Sequence, residues 1–150
     1  METLLNASDR EEILRRISML KSDSPRQWGQ MTASQMICHL TDSFRSAFGE
    51  KYASPNTSWF KRSIYKWIAL NIPFKWPRGV KTRPEMDQQV GGTKPLEFAK
   101  DVAEFHAMFG RYCTTETNLA PHPMFGQMTR VERMRWAYLH IDHHFRQFGV

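Results

Sequence analysis

Two histidines near the end of the chain, His140 and His144, stand four residues apart in His140-Ile141-Asp142-His143-His144. On a helix, that spacing puts both on one face, one turn apart, close enough for one metal ion to take a nitrogen from each. Neutral imidazole is a good ligand for zinc, nickel, copper or iron. A His-x-x-x-His pair is a weak signal alone: six histidines in 150 residues give about 0.23 such pairs by chance. A third histidine, His39, on the flank of another amphipathic stretch strengthens it. Three protein nitrogens leave at least one position on an ion open, which is the catalytic rather than the structural pattern. An ion so held lowers the pKa of a water or thiol to where it reacts as a nucleophile near neutral pH. The competing reading is a set of ordinary surface or partly buried histidines.

The segments that must carry these residues read as helices. Thr32 and Gln35 form a capping box, and Met36, Ile37, Leu40, Phe44, Ala47 and Phe48 follow as one stripe to about Phe48. At about 100° per residue, His39 lies roughly 60° outside the edge of that stripe, a flank suited to lining a cavity between helices. Thr129 and Glu132 form another capping box for a final helix with Val131, Met134, Tyr138, Ile141, Phe145 and Phe148 on its stripe. His140 and His144 share one flank of it, and His143 points roughly 60° to 100° further round, so helical arithmetic prefers the first two as ligands. Both helices follow an aromatic-Gly-Gln-Met-Thr lead-in, Trp28 to Thr32 and Phe125 to Thr129, which predicts that they enter the core in equivalent ways.

Three further helices complete the pattern. Ser8 and Glu11 read as a capping box before Ile13, Leu14, Ile17 and Leu20, with a stop near Pro25. Ser58 to about Asn71 is a basic, aromatic helix with Trp59, Phe60, Ile64, Trp67 and Ile68 on one side, ended by Pro73. Such a helix can lie on a membrane, but its shortness favours packing on the core or on a partner subunit. Ile72 to Lys94 reads as a long irregular crossover, of the length that is often functional. Thr93 is placed to cap the next helix, with Pro95 just inside and Phe98, Val102, Phe105, Phe109 and Tyr112 along its stripe. Asp42, one turn after His39, either orients an imidazole or is a solvated helix charge. His106 and His122 stand as reserve ligands. Cys38 points about 100° away from His39 and reads as a small apolar side chain. No residue stands out as the general acid or base.

Composition bounds the rest. A chain of 150 residues, 41% hydrophobic and 24% charged, with ten Phe, five Trp and nine Met, suits one soluble domain spanning 1–150 with a real core. No apolar run approaches about 18 residues, so no membrane span is expected. The polar, charged start does not read as a signal peptide. Two cysteines make no disulfide framework, so a reducing cytoplasm is the expected location. The net charge of +6 is scattered, with a modest concentration from Lys61 to Arg83. That argues for a solvated surface rather than a nucleic-acid or anionic-membrane interface.

The stretches Trp28 to Leu40 and His140 to Gln147 resemble the first and last histidine helices of the DinB/YfiT-like superfamily. Gly91-Gly92-Thr93, His122-Pro123-Met124-Phe125-Gly126 and Arg146-Gln147-Phe148-Gly149-Val150 narrow the resemblance to its DUF1569 branch. The resemblance implies an all-α fold: a DinB-like four-helix bundle with a long crossover connection and an extra short helix. It also implies a divalent metal, zinc or nickel, on His39, His140 and His144, the same residues that helical geometry selects. Relatives include thiol S-transferases and hydrolase-like enzymes, so a small-molecule substrate such as a low-molecular-weight thiol and a homodimer are expected. The alternative is a non-catalytic metal-binding stress-response or interaction module.

Overall fold

Reciprocal side-chain caps start the two histidine helices. Thr32 Oγ1 accepts the Gln35 backbone N–H at 3.2 Å while Gln35 Oε1 accepts that of Thr32 at 2.9 Å. Thr129 and Glu132 repeat the arrangement at 3.2 and 2.7 Å. Before each cap, Gly29 and Gly126 hold positive φ of 80° and 69°, a left-handed turn that glycine adopts without a Cβ penalty. The shared lead-in is therefore one piece of backbone geometry used twice.

The computed structural model describes the chain except residues 56–58, 73–74 and 117–118, and gives backbone alone at 59–62. Among the described residues the protein is all-helical. Its α-helices are α1 (Ala7–Ser18), α2 (Ala33–Ala47), α3 (Trp59–Asn71), α4 (Phe98–Thr114) and α5 (Arg130–Gln147), with a 3-10 turn at Pro84–Met86. The expected contributions of Ser58 and Pro73 to the ends of α3 lie outside the described residues. Helix α2 packs chiefly on α4 and also meets α5, while α1 and α3 pack on α5. The seam is built from Ile13 and Ile17 of α1, Met36, Ile37, Leu40 and Phe44 of α2, Phe105, Phe109 and Tyr112 of α4, and Met134, Ile141 and Phe145 of α5. Each such side chain contributes about 1.5–3 kcal/mol on burial. No described helix is long and apolar enough to cross a membrane.

Several local expectations are corrected. Helix α1 begins at Ala7 after Asn6, with no side-chain cap. Ser8 is already helical, and the carboxylate of Asp9 takes the Thr3 N–H at 2.8 Å and the Asn6 amide at 2.9 Å. Helix α4 begins at Phe98 without a side-chain cap, because Thr93 is turned inward. Val131 is exposed, so the α5 stripe starts one turn later at Met134. Ile64 and Trp67 of α3 also face out; the helix buries Leu70 instead.

Thr93 is drawn away from α4 by Asp42, which is fully buried. The Asp42 carboxylate accepts the Thr93 N–H at 2.8 Å, the Thr93 hydroxyl at 2.6 Å and the Gln88 amide at 3.1 Å. Lys51 and Arg45 approach it at 3.4 Å each. A buried carboxylate needs these donors far more than an exposed helix end needs a cap. Asp42 is thus neither solvated nor in contact with an imidazole; it fastens the crossover loop to α2. Gly92 lets the loop close, since a Cβ there would lie 2.7 Å from backbone atoms of both Asp87 and Gln88. Gly92→Ala is expected to cost about 1–3 kcal/mol by overpacking, read as a lower urea midpoint. Gly110→Ala, in open space on α4, should raise stability by about 0.5–1 kcal/mol in the same assay.

Candidate metal centre

His39 on α2 and His140 and His144 on α5 converge, each offering a ring nitrogen, with these atoms all within 4.8 Å of one another. Among the described residues no other group of three His, Cys, Asp or Glu side chains does so. The rings meet edge to face, with centroids 4.8 to 5.2 Å apart. His39 and His144 are buried, and His140 retains partial exposure toward the cavity it lines.

Backbone and amide partners fix two of the three tautomers. His39 Nδ1 lies 3.0 Å from the Met86 carbonyl. A carbonyl only accepts, so Nδ1 carries the proton and Nε2 presents a lone pair. His144 Nδ1 lies 3.0 Å from Gln147 Oε1, and Gln147 Nε2 donates to the Trp28 carbonyl at 2.8 Å. The Trp28 carbonyl requires the donor end of the amide, which leaves the acceptor end for His144. His144 Nδ1 is therefore also protonated, and its Nε2 is free to bind. Gly29 allows this bridge, because a Cβ there would land on the Gln147 amide.

His39 Nε2 and His140 Nε2 are 3.2 Å apart. With the His39 lone pair as acceptor, a His140 ring protonated at Nε2 can donate to it. Two lone pairs at that distance need a shared proton or a shared cation between them. Three neutral nitrogens meeting at one point fit a divalent ion of the nitrogen-preferring kind.

Burial holds all three imidazoles neutral. It lowers the pKa of His39 despite the opposing Met86 carbonyl and Asp42. It takes His140 well below its ordinary value, assisted by His144 and His39. It does the same to His144, assisted by His39 and opposed by Gln147.

The cluster forms part of the wall of a cavity of about 410 Å³, within the usual range for a small-molecule site. Trp136 stacks on His140 at 4.8 Å between centroids, and Trp76 closes over His140 and His143 at 6.4 and 6.3 Å. His143 stays out of the cluster, as the helix count predicts, but it lines the same cavity against Trp28.

The reserve ligands take other places. His106 is exposed on α4. His122 Nδ1 accepts the N–H groups of Met124 and Phe125 at 3.2 Å each, which makes it the pin of a turn closed by paired backbone bonds to Gly126. Cys38 is buried, and burial first, then Asp101 and Asp42, pushes its thiol up to about 12, in keeping with an inert apolar role. Asp142 faces away, paired with Arg16 at 2.9 Å and Arg146 at 2.8 Å.

Gln147 and the Met86 carbonyl escape a reading of the sequence. Gln147 has a faint signal, a polar residue one turn beyond His144 on the same helix; a backbone carbonyl has none. Metal-free protein should lose stability on acidification. Folded-state pKa values below the unfolded value of about 6.5 mean that unfolding takes up protons once the pH falls below that value. Each such histidine then costs up to about 1.4 kcal/mol per pH unit. Urea midpoints measured on chelator-treated protein should be flat above that pH and fall steadily below it.

No curated protein and no solved structure matches the chain. Residues 2–149 match the family described as protein of unknown function (DUF1569), and the chain belongs to the DUF1569 family.

Proposed function

We propose that this is a metal-dependent enzyme of the DinB/YfiT-like superfamily, with the bundle architecture of that group, acting as a thiol S-transferase-like or hydrolase-like catalyst. The observation that carries the reading is three neutral histidine nitrogens converging on the wall of a cavity of small-molecule size. His39, His140 and His144 would hold a divalent ion, zinc or nickel. Such an ion supplies Lewis acidity, bringing a thiol or water into the reactive range near neutral pH.

The chain's own residues prepare the site. Met86 and Gln147 hold His39 and His144 in the tautomer that binds through Nε2. Trp76 and Trp136 pack their rings against His140. The adjoining cavity leaves room for a substrate such as a low-molecular-weight thiol and its electrophile. A structural metal site is closed by its own ligands, so the cavity favours catalysis over a metal-binding module without turnover.

Metal analysis of purified protein, followed by a screen of thiol and electrophile pairs, tests the reading. Stoichiometric zinc or nickel is expected in the unsubstituted protein, with uptake lost in His140→Ala. Gln147→Leu should weaken metal binding about 10–100-fold by freeing the His144 ring. Failure to take up either metal in excess would overturn the site; uptake without any turnover would favour the non-catalytic module.

We also propose a homodimer paired through α3, whose Ile64, Tyr65 and Trp67 are each more than half exposed. Light scattering should give about twice the 17.7 kDa chain mass. Trp67→Glu should return the monomer.

A further inference from the structure

The cavity wall carries positive charge and, among the described residues, no carboxylate. Lys81, Arg83 and Arg133 line it together with the histidines. Arg133 is the informative one. Among the described residues three arginines are nearly buried, Arg16, Arg133 and Arg135, at 6 to 8% exposure. Arg16 pairs with Asp142 at 2.9 Å and Arg135 with Glu2 at 3.0 Å. Arg133 pairs with no carboxylate among the described residues: Nε donates to the Met128 carbonyl at 3.3 Å, and Nη2 to those of Leu119 and Ala120 at 3.2 and 2.8 Å. Its Nη1 meets no carboxylate among the described residues, and the Tyr112 hydroxyl lies beside the guanidinium. A guanidinium out of water without a counter-charge is costly, and this one borders an open cavity.

The surroundings of Arg133 point the same way. Burial, then Arg133 and Arg83, holds the nearby His122 neutral down to about 3, so this end of the cavity already repels a further positive charge. The same wall carries Phe125, Met128 and Trp136, with the Met128 carbonyl on Arg133 and Trp136 stacked on His140. Arg133 and His140 lie two turns apart on α5, roughly 10 Å along its axis.

We propose that the cavity binds an amphiphilic carboxylate. The anionic head meets Arg133 Nη1, the apolar body lies along Phe125, Met128 and Trp136, and the far end reaches the three histidines. The placing of that far end as the reacting end rests on the metal-site reading; the head contact does not.

Octanoate and octan-1-ol, which share an apolar chain and differ in the charged head, are the probes. Their binding is measured by calorimetry on the full chain, metal-free and zinc-loaded, near neutral pH and at physiological ionic strength to screen rim charges. Octanoate should bind about tenfold or more tightly than octan-1-ol, the scale of a charge-assisted hydrogen bond. Arg133→Gln should abolish the difference. Lys81→Gln, at an exposed position, and Arg83→Gln, at a partly exposed one, should each change octanoate affinity less than about fivefold.

Equal binding of the two probes, binding of neither, or an unchanged octanoate affinity in Arg133→Gln overturns the proposal. In those cases Arg133 serves only to tie the loop around Leu119 and Ala120 to α5. If Arg133→Gln does not fold, the comparison of the two probes on the unsubstituted protein decides. Zinc uptake in the same samples separates the two readings. Loss of the octanoate preference with uptake intact overturns the head contact alone; preference with neither zinc nor nickel taken up supports the head contact and overturns the metal site.

Discussion

The buried carboxylate of Asp42 is the constraint on which the rest of the site depends. One negative charge, removed from water, collects the Thr93 backbone and hydroxyl, the Gln88 amide, Lys51 and Arg45. Those partners belong to α2 or its downstream end and to the crossover, so satisfying the charge brings the crossover down on α2. The same closure sets the Met86 carbonyl against His39 Nδ1. A helix charge that never touches an imidazole therefore determines which nitrogen of that imidazole faces the cavity. On the opposite side Gln147 does comparable work directly, joining His144 to the backbone of Trp28.

What was legible in the sequence follows from range. The caps at Thr32 and Thr129 and the inward pairing of His140 with His144 are matters of three or four residues on one helix, and helical arithmetic handles them well. His39 joined the pair because its flank position is also a local property. Ser8 and Glu11 misled because Asp9, between them, found better donors in Thr3 and Asn6 than the helix end offered. Thr93 misled for a longer-range reason: its natural capping role lost to a carboxylate 51 residues earlier. The periodicity of α3 signalled an apolar face correctly, yet periodicity does not say what covers that face, and Ile64 and Trp67 are exposed. Arg133 looks like any helical arginine in sequence; only the carbonyls gathered around it reveal its unmatched charge.

The cavity combines two kinds of polar wall with different electrostatic histories. The histidines arrive neutral because burial suppresses their charge. Arg133 cannot follow them, since a guanidinium does not give up its proton in proteins. The cavity wall thus combines three imidazoles with a guanidinium that has no described carboxylate beside it, and with aromatic surface. A polarised, elongated ligand suits such a wall better than a compact apolar one.

The separation of the three histidines along the chain has a consequence in time. His39 and His140 are 101 residues apart, and no fragment that lacks α5 contains the pair on which the cluster closes. During synthesis the chain emerges from its N-terminal end, so His39 is made well before His140 and His144. Joining His144 to Trp28 through Gln147 is a long-range loop closure across 119 residues, slow compared with helix formation. The nascent chain carries isolated histidines, none of which grips an ion strongly alone. The three imidazoles come together only once α5 has packed against α2.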